Sequence, residues 1–237
     1  MRPKAGRGLF AALLLILALA WAAGHVAATT PSYAGSAASP AMAIDGDTVQ
    51  LNGQVVQLYG IDAPELGQLC LAGDTWHPCG LAAAHELNKQ LRLSRRNIEC
   101  QPADASGSSE RVCFAGNVDV AEALLEAGYV VASATANPDY RELEQKARGA
   151  GLGLWQTQFV APSAWRQGER LAGEPAFAGG CPVKALTTAD GQALYFVPTD
   201  ADYDALALDP ARGDRRYCSD ETARRDGWRR PGETAAP

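Results

Sequence analysis

Six cysteines, all placed after an apolar N-terminal run, constrain this chain more than any other feature. Leu9 to Ala23 is fifteen residues without a charge, preceded by Arg2, Lys4 and Arg7, and Val26-Ala27-Ala28 fits the small-x-small rule for cleavage. The run is shorter than the ~20 residues a spanning helix needs. Residues 1–28 therefore read as a signal peptide, with an uncleaved N-terminal anchor as the alternative, because Gly8 to Ala28 is almost free of charge. Either way the remainder lies outside the cytoplasm, secreted or periplasmic, where disulfides persist. Proximity within each predicted unit pairs Cys70 with Cys79, Cys100 with Cys113 and Cys181 with Cys218.

The 237 residues fill one or two domains, and 47% hydrophobic with 20% charged residues exclude a disordered, collagenous or coiled-coil chain. Net charge is −6, and without the first 28 residues 18 basic face 27 acidic residues, a net −9. Such a chain repels polyphosphate at long range, so any nucleic-acid role rests on a local site.

Residues 29–41 are rich in Ala, Ser, Thr and Pro and read as a linker. After them, Thr48 to Leu51 and Val55 to Tyr59 alternate on either side of Asn52-Gly53, a hairpin signature. Helical spacing runs from Leu81 to Leu93, Val120 to Ala127 and Tyr140 to Ala150, with strand candidates at Ile98 to Cys100, Val112 to Ala115 and Tyr129 to Ala132. This order predicts an α+β fold, a small β-barrel with helices packed on it. A Gly/Ala/Pro linker at 173–180 separates residues 42–172 from a module at 181–230, framed by Cys181 and Cys218, and a tail at 231–237. The module carries a strand candidate at Ala193 to Val197 and a helix candidate from Ser219. It is too small for a large core, so a disulfide staple is expected.

The chemistry concentrates in Asp45-Gly-Asp47-Thr48 and Ile61-Asp62-Ala-Pro-Glu65. Pairing through the hairpin brings both acidic groups to one end, where hard oxygen donors suit Ca²⁺ and Glu65 can polarise a water. The competing reading is that Asp-Gly and Asp-Ala-Pro are turn formers. Cys70, His77 and Cys79 offer three local soft ligands for zinc, but a disulfide in an exported chain is the favoured reading. His85 reads as a helix-surface residue, and Glu142, Glu144, Lys146 and Arg148 as a solvated helix face.

The runs Ala43-Ile-Asp-Gly-Asp-Thr-Val49 and Gly60-Ile-Asp-Ala-Pro-Glu65 resemble the staphylococcal nuclease (thermonuclease-like) family. So do Cys79-Gly80, Cys113-Phe-Ala-Gly, Val118-Asp-Val, Gly128 and the ending Ala147-Arg148 to Trp165-Arg166. The resemblance spans about residues 42–170. It implies an OB-type five-stranded β-barrel with about three helices, hydrolysing DNA and RNA with Ca²⁺ held by Asp47, Asp62 and the Ala63 carbonyl, and Glu65 as base. The same resemblance implies two phosphate-binding arginines, where this chain has Gln57 and Ser108. It also implies base-contacting tyrosines, where this chain has Ser133 to Ala136. The 181–230 segment resembles a two-cysteine module found after such domains in exported bacterial proteins.

One arginine contributes ~10³–10⁵ in rate in well-studied phosphoryl transfer, whereas glutamine and serine bring no charge. The resulting expectation is an exported, degenerate nuclease with its carboxylates kept and weak or no catalysis, binding nucleic acid weakly or an unknown protein or envelope partner. The alternative is an active Ca²⁺-dependent endonuclease with substitute cations, Arg111 or Arg92, Arg95 and Arg96.

Overall fold

Alternating apolar residues around Asn52-Gly53 need a turn with two positive φ angles, and Asn52 (51°) and Gly53 (78°) supply them. The hairpin joins β2 (Thr48–Leu51) to β3 (Gln54–Leu58), with β1 (Met42–Ala43) paired outside β2. The computed structural model describes residues 41–93, 97–103, 109–177 and 180–234. The expected signal peptide and nearly all of its linker lie outside these residues, as do Arg95, Arg96 and Ser108.

β4 (Ile61–Asp62) follows β3, then a hairpin of β5 (Cys70–Ala72) and β6 (Thr75–His77), then α1 (Cys79–Leu93). β7 (Ile98–Pro102), β8 (Glu110–Ala115) and β9 (Val118–Asp119) come next, followed by α2 (Val120–Glu126), β10 (Val131–Ala132), α3 (Pro138–Gly149) and a short α4 (Pro162–Arg166). The main sheet runs β1-β2-β3-β8-β7, with β9 on β8. All its pairs are antiparallel except β3–β8, which is parallel. This mixed sheet curls into a half-barrel around Val49, Leu58, Leu87, Leu124, Leu125 and Tyr140. Asp119 caps α2 through the backbone N–H groups of Ala121 and Glu122, and accepts a 2.7 Å bond from the Tyr140 hydroxyl, tying α3 to the same corner.

The C-terminal module is a three-stranded sheet, β12-β11-β13, of β11 (Val183–Thr187), β12 (Ala193–Phe196) and β13 (Arg215–Tyr217), with α5 (Asp220–Arg225) behind it. One face of this sheet packs on the barrel: Val183, Ala185, Tyr195, Val197 and Ala223 pack with Ile44, Leu66 and Ala84, a cluster shared by both. The other face has a small cluster of its own, Leu186, Leu194 and Phe196 with Tyr203, Leu206 and Leu208. Polar clasps reinforce the contact. Arg230, 1% exposed, ion-pairs with Asp200 and donates to Gln50, while Gly67 N–H donates to the Cys218 carbonyl at 2.9 Å. The disulfides are Cys70–Cys79, Cys100–Cys113 and Cys181–Cys218. Cys100 and Cys113 face each other across β7 and β8, as the predicted cross-strand pair requires. Among the described residues no helix is long and apolar enough to cross a membrane.

The Cys70–Cys79 segment is a β-hairpin, with His77 exposed opposite Cys70. One expectation needs correction. Glu144 leaves the solvated face of α3: its carboxylate accepts from the Ala132 N–H at 2.9 Å, satisfying a donor of β10. Arg148 keeps to the solvated face, with its guanidinium 5.2 Å over the Trp155 ring. Lys146 and Glu142 do pair in solvent, at 2.7 Å.

Candidate functional site

The two aspartates of the Asp45-Gly46-Asp47 run take different places in the fold. Asp45 Oδ1 accepts from the N–H groups of Asp47 and Thr48 at 3.0 and 2.7 Å, which makes it the turn former. Gly46 lets this turn pack closely, since a Cβ there would lie 2.6 Å from the Ala63 Cβ and 2.7 Å from that of Ala83. Asp47 then points inward, 5% exposed, with Oδ2 accepting from Ala63 N–H at 2.8 Å. Its Oδ1 accepts from the Thr48 hydroxyl and from Gln57 Nε2 at 3.1 Å.

Asp62 lies at the end of β4, and Glu65, 6% exposed, follows on the loop. Gln68 shapes that loop: fully buried, it accepts from the Glu65 N–H and donates to the Val160 carbonyl. A single atom then joins the two acids. Arg166 Nη1, from α4, lies 2.9 Å from Asp62 Oδ1 and 2.8 Å from Glu65 Oε1. A fifth carboxylate enters from the module: Asp220, 4% exposed, bears on Asp45 and Glu65.

The electrostatics follow from burial. Glu65 is pushed up to about 7, chiefly by desolvation, against the stabilising Arg166 bond. Asp47 is pushed up to about 6 for the same first reason, opposed by the Ala63 N–H. Asp45 and Asp220 are both raised by burial, and Asp47 and Asp220 push Asp45 further. Negative charge here exceeds the cations that neutralise it.

Beside these acids opens a cleft of about 690 Å³. Gln57, Asp62, Glu110 and Arg166 line one part, Ser133 to Thr135 another, and Trp155 with Phe159 supply the rings. The Ser133 to Ala136 stretch brings no aromatic group, but Trp155 and Phe159, in edge contact at 5.3 Å, put rings into the cleft from after α3. Of the expected site residues, the structure brings together Asp47, Asp62, Ala63, Glu65 and Gln57, while Ser108 lies outside the described residues. Arg111 sits on β8 beside Leu58 and donates to the Glu110 carbonyl.

The donor chemistry suits a hard divalent cation, but the arrangement does not make a ready centre for Ca²⁺. Both oxygens of Asp47 are engaged by hydrogen bonds, Ala63 turns its N–H to Asp47, and Arg166 occupies the space between Asp62 and Glu65. Among the described residues no group of three or more His, Cys, Asp or Glu is placed to hold a metal.

Two important residues had no warning in the sequence. Arg166 reaches acids 104 and 101 positions away, and Asp220 belongs to another unit of the chain. Arg166 stood in the ending of the family pattern, which was the one available signal, but that pattern assigns it no role.

Residues 55–157 match the staphylococcal nuclease homologue family. The chain is 36% identical over 151 residues to the succinoglycan biosynthesis protein ExoI of Rhizobium meliloti (strain 1021), covering 60% of this chain and 79% of that protein. The chain belongs to the staphylococcal nuclease homologue family.

Proposed function

We propose that the protein is an exported member of this family whose phosphodiester-cleaving centre is impaired, so that it binds nucleic acid weakly with little or no hydrolysis. The observation that carries this reading is the Arg166 bridge to Asp62 and Glu65, with the uncharged Gln57 beside Asp47. Phosphoryl transfer is accelerated mainly by positioned positive charge around the phosphate. Here the nearest cation is committed to the carboxylates. Ca²⁺ binding at Asp47 and Asp62 is weak in this reading, because the ion must displace Arg166. Export follows from the N-terminal apolar run and the three disulfides.

Purified protein incubated with single-stranded DNA, with and without millimolar Ca²⁺, tests it. Expected is no cleavage beyond that of the Glu65→Gln variant. Ca²⁺-dependent cleavage lost in both Glu65→Gln and Arg166→Gln would instead assign a working nuclease with Arg166 as its substitute cation.

A second reading concerns context. The relative's name attaches that protein to succinoglycan biosynthesis. For this chain, a part in making an exported glycan is favoured by the cleft lining, where carboxylates of Asp62, Glu110 and Glu144 stand near Trp155 and Phe159. Carboxylates accept from sugar hydroxyls and rings cover apolar sugar faces. Protection of Trp155 fluorescence by neutral oligosaccharides, but not by oligonucleotides, would select it.

A further inference from the structure

We infer that the C-terminal module builds, with α4, a second site that binds phosphate oxyanions next to the carboxylate corner. It rests on the reading of the chain as a phosphodiester-binding protein and names the residues that grip the anion. Between α4 and α5 lies a polar cleft of about 400 Å³. Its walls carry three guanidiniums, Arg166, Arg170 and Arg225, against one carboxylate, Glu221, with the Ser163 hydroxyl as a further donor and those of Ser219 and Thr222 bonded to each other at 2.8 Å. The first cleft has the opposite balance, three carboxylates to Arg166.

Each arginine is held where an anion can use it. Arg170 lies 3.7 Å over the Trp165 ring, and its Nη1 donates to the Trp165 carbonyl. Trp165 is itself 6% exposed and anchored by its indole N–H on Glu174 at 3.1 Å. A guanidinium stacked in this way keeps its orientation while its other edge remains a donor fork for a phosphate. Arg166 spends Nη1 on Asp62 and Glu65, and its Nε and Nη2 have no partner among the described residues. Arg225 comes from the module and touches only the Thr222 hydroxyl, at 3.4 Å, among the described residues.

Arg166 and Ser163 line both clefts, so an anion on the far edge of Arg166 sits beside the acids without displacing the bridge. Arg170 and the module's Arg225 thereby add positive charge that Gln57 does not. A phosphate held here is gripped from the side opposite the carboxylates. That geometry favours retention of a strand over its hydrolysis.

The test uses the full mature chain and two probes, a fluorescein-labelled single-stranded oligothymidylate and inorganic phosphate, each titrated at several salt concentrations. The variants are Arg170→Gln, Arg225→Gln and their double. Expected is a loss of at least ~10-fold in affinity in the double variant, with the slope of log K against log salt reduced by roughly one to two. Melting temperature stays near the parent value, since these are surface groups. Phosphate bound and lost in the double variant, with no oligonucleotide binding by the parent, upholds the site and rejects the nucleic-acid reading. Affinity for both probes unchanged in the double variant, or no binding of either probe by the parent, overturns the site.

Discussion

The two clefts share Arg166 and differ in almost everything else. The barrel side carries Asp62, Glu110 and Glu144 with Trp155 and Phe159, while the module side carries Arg166, Arg170 and Arg225 with a single acid. The barrel side lies mostly within the family match, and every residue lining the module side comes after that match ends. The contrast is one of charge: the acids and the arginines fall in different clefts that share one guanidinium. Proximity in the fold does not make a catalytic constellation unless the groups face the same reacting atom.

The largest expected effect comes from moving charge across that divide. Gln57→Arg beside Asp47, combined with Ser108→Arg at the second position the family resemblance implies, adds the missing cations, and Ca²⁺-dependent cleavage of single-stranded DNA should rise by up to ~10³-fold, part of the range for a positioned arginine. Adding Glu65→Gln should abolish the gain. A double variant that folds and shows none would mean the barrel side lacks more than charge.

Separating the two sides is the next strongest perturbation. Arg230→Ala leaves Asp200 buried without its partner, and loss of one member of a buried pair costs ~3–5 kcal/mol. Urea denaturation should show this loss. It should also lower the raised pKa of Glu65, because the module that buries it loosens. A small cost with both clefts unchanged would show that the shared apolar core alone holds the module.

The acid corner should also make stability depend on pH. Glu65 and Asp47 have folded pKa values raised above their unfolded ones, so the folded state binds protons more tightly. Their contribution is full below about pH 4 and is lost as pH rises to about 7. A tenfold difference in proton affinity between the folded and unfolded chain is worth ~1.4 kcal/mol, so Glu65 alone accounts for on the order of 3 kcal/mol at most. Melting temperature should fall between pH 5 and 8 in the parent, and fall less in Glu65→Gln. Equal slopes would place the titrating groups elsewhere.

The smallest effect tests the shared guanidinium itself. Arg166→Gln removes the cation between Asp62 and Glu65, and Ca²⁺ should bind ~10-fold more tightly, adding about 1.4 kcal/mol of stabilisation once the site is saturated. Calorimetric titration and melting with and without Ca²⁺ measure it. No change in either would show that the carboxylates do not converge on a metal even when the space is free.

Much of this was legible in the sequence where neighbours decide the outcome. Asn52-Gly53 can adopt the paired positive φ angles of a tight hairpin, so β2 and β3 follow from composition and alternation alone. Helical spacing from Leu81 to Leu93 matched α1, which begins at Cys79, and even cysteines after an apolar leader led to the three pairings. Asp47 and Glu65 were readable as candidate site residues only through the family resemblance, since their spacing alone fits turn formers equally well. Arg166, Asp220, Trp155 and the core shared by barrel and module were not. Their partners lie far along the chain, and no local periodicity records which distant side chain will close on a buried charge. Only the folded arrangement decided that Arg166 would bridge two acids and divide the clefts. The reason is physical: desolvation makes an unpaired buried carboxylate costly, and the cation that relieves it can come from any part of the chain that the packing brings near.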